Sequence, residues 1–224
     1  MSNKLTLVDQ IYLNIKNDIT KKSLPPGEKI NIKELTRKYN VSDTPVKQAL
    51  NRLIAENMVI SIPNKGMSVR AFTVEEMNEI FDMRLMMDLY FMKDVLSTLS
   101  FNKTLNEQLQ RNLEEHSAIV AQTPSAESNG KYYYLDSEFH QLYLVGSGNK
   151  KAIETFRNLN PFMYSTYTYI QQPHHRDKEC VEEHKAIFDA LLKQDIEALE
   201  IAIKTHIQNS RKTMQLIFKV NQII

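Results

Sequence analysis

The stretch YYYLDSEFHQLYL places Asp136 and His140 four residues apart. On a helix that spacing sets both side chains on one face, one turn apart, so a carboxylate oxygen and an imidazole nitrogen can share a single cation. Two further histidines stand among apolar helical positions, His184 in EEHKAIFDALLKQD and His206 in AIKTHIQNSRKTM. One carboxylate and three imidazoles would suit Zn, Ni, Mn or Fe, with water or ligand oxygens in any open position. Spacing alone leaves other roles open. An i,i+4 Asp/His pair often forms only an ion pair, and a buried histidine usually serves as a hydrogen-bonded core residue.

Arg84 lies inside the apolar run EIFDMRLMMDLYFM, with Asp88 one turn later. A buried guanidinium is costly without a partner, so it either pairs locally or meets an anionic ligand. Spacing favours the local pair with Asp88. A metal in such a set could also activate water for hydrolysis. No HExxH motif occurs, however, and Glu183, beside His184, projects about 100° away on a helix, so no general base is placed. No catalytic residue is assigned, and the chain reads as a binding protein rather than an enzyme. His174 and His175, in the loop-like QQPHHR, read as solvated.

Helices must carry these residues. Thr73 followed by Glu76 has a capping-box pattern and opens a long, mostly buried helix marked by Met77, Ile80, Phe81, Met83, Met87, Leu89 and Met92. Further helices are expected at about 103–122, 131–146, 150–170, 178–192 and 195–218. PSAESNG, GSGN, QQPHHR and the KQD turn separate them. Tyr132, Tyr133 and Tyr134 read as helix packing.

The residues before this boundary follow another pattern. Leu7, Ile11, Ile15 and Ile19 form one helical stripe, which Pro25, Pro26 and Gly27 terminate. NIKELTRKY forms a second helix ending at Asn40. A third starts near Pro45, with Ser42 or Asp43 as its cap. Val46, Leu50, Leu53 and Ile54 are its buried stripe, and Thr44, Lys47, Gln48 and Asn51 stand on or near its other face. Two helices joined by a short turn, the second polar outside, suit the major groove. VISI and MSVRAF, separated by PNKG, read as a two-stranded wing with Lys65 and Gly66 at its tip. The fold class is therefore mainly α: a winged helix-turn-helix of three helices and a two-stranded wing, then an all-helical antiparallel bundle of six or seven helices. The domains are residues 1–72 and 73–224.

Charge divides along the same line. Residues 1–70 hold 12 Lys/Arg against 6 Asp/Glu, whereas the remainder holds 16 against 21, although the whole chain is only +1. The first part thus suits a polyanion and the second does not. With 42% hydrophobic and 25% charged residues the 224-residue chain is ordinary for a globular protein. One cysteine, Cys180, excludes an internal disulfide. No apolar run approaches the roughly 20 residues needed to span a bilayer, so the expected location is the cytoplasm, with no membrane partner.

The segment LPPGEKINIKELTRKYNVSDTPVKQALNRLIAENMV resembles the N-terminal domain of GntR-family transcription regulators, and the match extends over residues 6–72. By that resemblance Lys33, Ser42, Asp43, Thr44, Lys47 and Gly66 fall on DNA-contacting positions. Lys47 and Asp43 each replace a usual arginine. The first change loses a bidentate reader of guanine, and the second puts an acceptor in its place.

Arg84 with its LMMD, DSEFH, GSGN, EEHKAIFDALLKQD and the final His206 resemble the FadR-type C-terminal (FCD) domain of the FadR-like subfamily. The length suits the shorter form similar to vanillate-type repressors. The resemblance implies that Asp136, His140, His184 and His206 hold a divalent metal. It also implies that Arg84 and Asn149 face a small organic or sugar acid effector, although Asn149 also suits a helix cap. The expectation is a homodimeric regulator, a repressor, that binds an operator in double-stranded DNA and responds to such an acid.

Overall fold

The computed structural model describes residues 5–21, 23–71, 73–159 and 172–222. It divides into two compact units, Met1–Thr73 and Val74–Ile224.

In the first unit α1 (Leu7–Thr20) opens on a capping box, with Thr6 and Asp9 each accepting from the other's backbone at 3.1 and 3.0 Å. Ile11 and Ile15 are buried, whereas Leu7 is exposed, so the core stripe begins one turn later than its spacing suggests. Asn31 caps α2 (Ile32–Tyr39), and Asn40 ends it in the left-handed region at φ 53°. α3 (Asp43–Ala55) turns Val46, Ala49, Leu50 and Leu53 into the core. Pro45 is its third residue, where a missing N–H costs nothing.

The wing contains one more strand than expected. β2 (Val59–Ile62) and β3 (Gly66–Val69) form the antiparallel hairpin, and β1 (Lys29–Ile30) adds to the other side of β3, giving the order β1-β3-β2. Two residues carry no readable alternation. What places β1 is the bonding of its approach: Gly27 N–H donates to Val69 O and Val69 N–H to Glu28 O, both at 2.9 Å. Asn64 and Gly66 take positive φ at the hairpin turn, 62° and 91°.

The second unit contains seven helices among the described residues: α4 (Val74–Tyr90), α5 (Met92–Leu99), α6 (Lys103–Val120), α7 (Ala126–Val145), α8 (Lys150–Asn158), α9 (His174–Leu192) and α10 (Ile196–Gln222). α6 packs along α7, α9 along α10, and α10 also meets α4. Phe139, Leu144, Phe156 and Leu191 are among the buried side chains between them.

Three boundaries depart from the periodicity. The long helix expected from residue 73 breaks at Phe91, and Met83 and Met86 are exposed. α7 starts earlier than expected because Ser125 and Ser128 form a capping box, so PSAESNG is largely helical. α9 starts at His174 rather than near 178, with Pro173 as its cap, and His174 pairs with Asp177 at 3.5 Å. The later part of the helix expected over 150–170 lies outside the described residues. Tyr132 and Tyr133 are buried as expected of packing residues, but Tyr134 faces outward. Among the described residues no helix is long and apolar enough to cross a membrane.

Candidate metal centre and nucleic-acid interface

Asp136 and His140 project from α7, His184 from α9 and His206 from α10. The three histidines are at most 2% exposed. One ring nitrogen from each lies within 4.8 Å of the other two. His140 Nε2 and His206 Nε2 are 3.1 Å apart, and His184 Nε2 is 3.7 Å from Asp136 Oδ1. Phe139 stacks on the His184 ring at 4.2 Å and fixes its plane. Burial pushes the His140 and His184 imidazoles well below their ordinary range, with Arg84 next in effect on His140 and His206 on His184. Both therefore offer lone pairs rather than charge.

Hydrogen-bond roles sharpen this geometry. Arg84 Nη2 lies 2.8 Å from His140 Nε2, and a guanidinium can only donate, so that nitrogen carries a lone pair. His206 Nδ1 lies 3.0 Å from Glu183 Oε2, and an ionised carboxylate can only accept, so Nδ1 is the donor and Nε2 is the nitrogen turned toward His140. His140 Nε2 has a single lone pair, which Arg84 and His206 Nε2 approach at 2.8 and 3.1 Å, and a cation bound there would take it in place of the Arg84 hydrogen bond. Imidazole bonds to zinc are about 2.0–2.1 Å long, so neighbouring ligands of one ion stand about 3 Å apart. The three histidines form one group that can hold a divalent ion, and Asp136 falls in a neighbouring group with Cys180 and His184, sharing only His184 with the first.

Arg84 does not make the local pair that spacing favours. It reaches across to His140, and Oδ1 of buried Asp88 has no hydrogen-bond partner. Burial raises the Asp88 carboxyl to about 7, against a smaller opposing pull from Arg84. The folded chain therefore keeps this proton until about pH 7, while an unfolded chain releases it near its ordinary 3.8, and stability falls as pH rises through that window. Asp88→Asn is expected to stabilise the protein by roughly 2–4 kcal/mol at pH 8 and hardly at all at pH 4, read as melting temperature at the two pH values.

Glu183 and Arg176, given no role in the site by the sequence reading, support the cluster. Arg176 grips both Glu183 oxygens at 2.8 and 2.7 Å, Asn209 donates to Oε1 at 2.8 Å, and Oε2 receives His206. Burial pushes the Glu183 carboxyl up, but these hydrogen bonds outweigh it and hold it below its ordinary range. An ionised carboxylate on the far nitrogen fixes the tautomer and ring of a ligand histidine. Glu183→Gln is expected to weaken metal binding about 10- to 100-fold with little change in fold, measured by calorimetric titration of metal into apo-protein. Cross-helix pairing between α9 and α10 leaves no spacing signal. His116 on α6 was also missed. It is fully buried, 5.7 Å from the His184 ring and 4.6 Å from Tyr132, and neither of its nitrogens has a partner.

Asn149 is exposed, and its side-chain oxygen accepts from Lys151 and Ala152 N–H, both at 3.0 Å. It caps α8, and none of its described hydrogen bonds reaches Arg84 or the histidines.

In the first unit Lys33, Ser42, Asp43, Thr44, Lys47 and Gly66 are all exposed. Ser42 is the N-cap position of α3 but makes no side-chain cap bond. Asp43 is the first helical residue rather than the cap, and its carboxylate lies 3.5 Å from Lys47 Nζ. The acid thus sits on a helix N-terminus, whose dipole favours it, and holds the nearby lysine.

A winged helix-turn-helix followed by an all-helical domain defines a DNA-binding transcription regulator. Residues 7–69 match the family described as "Bacterial regulatory proteins, gntR family", and residues 79–209 match the FCD domain. The chain belongs to the GntR family of bacterial regulatory proteins and carries an FCD domain. It is 26% identical over 217 residues to the HTH-type transcriptional repressor RspR of Escherichia coli (strain K12), covering 95% of this chain and 90% of that one. Solved structures agree in fold. A protein titled "Lar controls the expression of the Listeria monocytogenes agr system and mediates virulence" superposes with a TM-score of 0.71 at 16% identity, covering 95% and 99% of the two chains. E. coli McbR/YncC superposes at 0.69 and 19%, covering 96% and 100%.

Proposed function

We propose that this GntR-family regulator represses transcription as a homodimer on a pseudo-palindromic operator. A small organic or sugar acid, bound beside a divalent metal in the FCD domain, modulates that binding. In each copy Lys33, Ser42, Asp43, Thr44, Lys47 and Gly66 meet the DNA, and Asp136, His140, His184 and His206 hold the ion. Repression is supported by the repressor name of RspR.

The observation that carries the effector reading is Arg84 placed 2.8 Å from a nitrogen of the metal cluster. A guanidinium and a divalent cation repel at that range. A carboxylate between them offsets one of the three positive charges and lessens their repulsion, and Arg84 can bind it with a two-pronged fork. The ion, when bound, supplies positive charge and open coordination positions. Arg84 orients the acid, and Glu183 holds His206 in its ligand tautomer. An acid that fits one arrangement of the domains better than another shifts the equilibrium by that difference in affinity.

The test is a thermal-shift screen of small carboxylic and sugar acids with and without added Zn(II) or Mn(II). At least one acid is expected to raise the melting temperature in a metal-dependent way, and the rise is expected to vanish in Arg84→Ala. Equal shifts in the two proteins, or none in either, would overturn the arginine-plus-metal pocket.

A further inference from the structure

The protein's single cysteine sits inside the cluster. Cys180 is buried on α9, one turn before His184. Its Sγ is 3.4 Å from Asp136 Oδ1 and 3.9 Å from His184 Nε2. It belongs to two of the three donor groups that could hold an ion, one with Asp136 and His184 and one with Glu183 and His206. No other donor is shared between those two groups.

A second observation points to the same place. His184 is fully buried, its Nδ1 has no partner, and its Nε2 faces Asp136 at 3.7 Å, beyond hydrogen-bond length. Among the described residues, the polar contact at bonding range for that nitrogen is the sulfur. A wholly buried imidazole left so poorly satisfied is costly unless something lies between its Nε2 and the neighbouring donors. Burial and then the Asp136 carboxylate push the Cys180 thiol well above its ordinary range, against a smaller opposing pull from the Tyr132 hydrogen bond, so without a cation the group keeps its proton.

We propose that Cys180 is a thiolate ligand of the metal, so that the centre takes a sulfur donor beside its imidazoles rather than being a hard Asp and imidazole site. This rests on the metal reading above. On binding, a sulfur–metal bond forms, the S–H bond breaks, and the proton passes to solvent, with no change in oxidation state. A thiolate draws the site toward borderline-soft ions, Zn(II) and Co(II), and away from Mn(II).

Cobalt(II) titrated into full-length apo-protein tests this, because with one cysteine in the chain any thiolate-to-cobalt charge-transfer band belongs to Cys180. Wild type is expected to develop both visible ligand-field bands and a near-ultraviolet charge-transfer band. Cys180→Ser is expected to keep the visible bands, lose the near-ultraviolet one, and show a smaller preference for Zn(II) over Mn(II) in competition. If the serine variant does not fold, the wild-type spectrum decides alone. Visible bands without the charge-transfer band in wild type overturn the cysteine ligand and leave the metal reading standing. Absence of both bands overturns the metal reading and the cysteine ligand together.

Discussion

Asp43→Arg is expected to tighten DNA binding roughly tenfold and to shift base preference toward guanine. The substitution removes the acid that holds Lys47 at 3.5 Å and adds a bidentate fork. Such a fork, well placed on guanine, is worth about 1–3 kcal/mol of discrimination. Each added phosphate contact also steepens the salt dependence, so the slope of log K against log salt grows by about one or two. The cost appears in the fold. An arginine at the first position of α3 opposes the helix dipole, and the melting temperature should drop by the equivalent of about 0.3–1 kcal/mol. Fluorescence anisotropy against an operator pool and a thermal melt of the same sample read the two effects. If affinity and base preference are both unchanged, Asp43 makes no contact with DNA and acts only on its own helix.

Metal removal is expected to have the largest effect on stability. A ligand present at a thousand times its Kd adds about 4 kcal/mol to the folded state. For a chain of this size each kcal/mol moves the midpoint by about 2–4 °C. Chelation of the loaded protein should therefore lower its melting temperature by roughly 10 °C, and re-addition of Zn(II) should restore it. His206→Ala should melt at the same temperature with and without chelator, because it removes the ligand that α10 contributes and leaves Glu183 with one hydrogen bond fewer. A wild-type melting curve that chelator does not move would contradict the metal centre.

The winged helix was legible because local rules fix it. α1 stops at Thr20, ahead of the Pro25-Pro26-Gly27 turn, Asn40 supplies a left-handed stop, and Pro45 belongs to the first turn of α3. β1 was not legible, since its two residues are held by backbone bonds to β3 that no side-chain pattern records. In the second unit the four expected ligands stand out by type, but what brings the three histidines together is packing among α7, α9 and α10, which spacing does not encode. For the same reason Glu183 looked misdirected. On its own helix it does point away from His184, yet it points toward His206 on the next helix. Arg84 and Asp88 show the reverse error: their spacing permits a pair, but burial and the reach of the guanidinium place Arg84 against His140 instead. Asn149 carried two readings of which a local one suffices, the cap of α8.

DNA binding by the first domain should answer to an acid held beside a metal in the second. The most direct measurement is an anisotropy titration of operator DNA over a range of salt, with metal-loaded protein, with and without an acid from the thermal-shift screen, and with Arg84→Ala in parallel. Salt-sensitive binding by both proteins and an acid-dependent change in Kd in wild type alone are expected. Binding that ignores the acid in wild type, or responds equally in Arg84→Ala, would contradict that coupling.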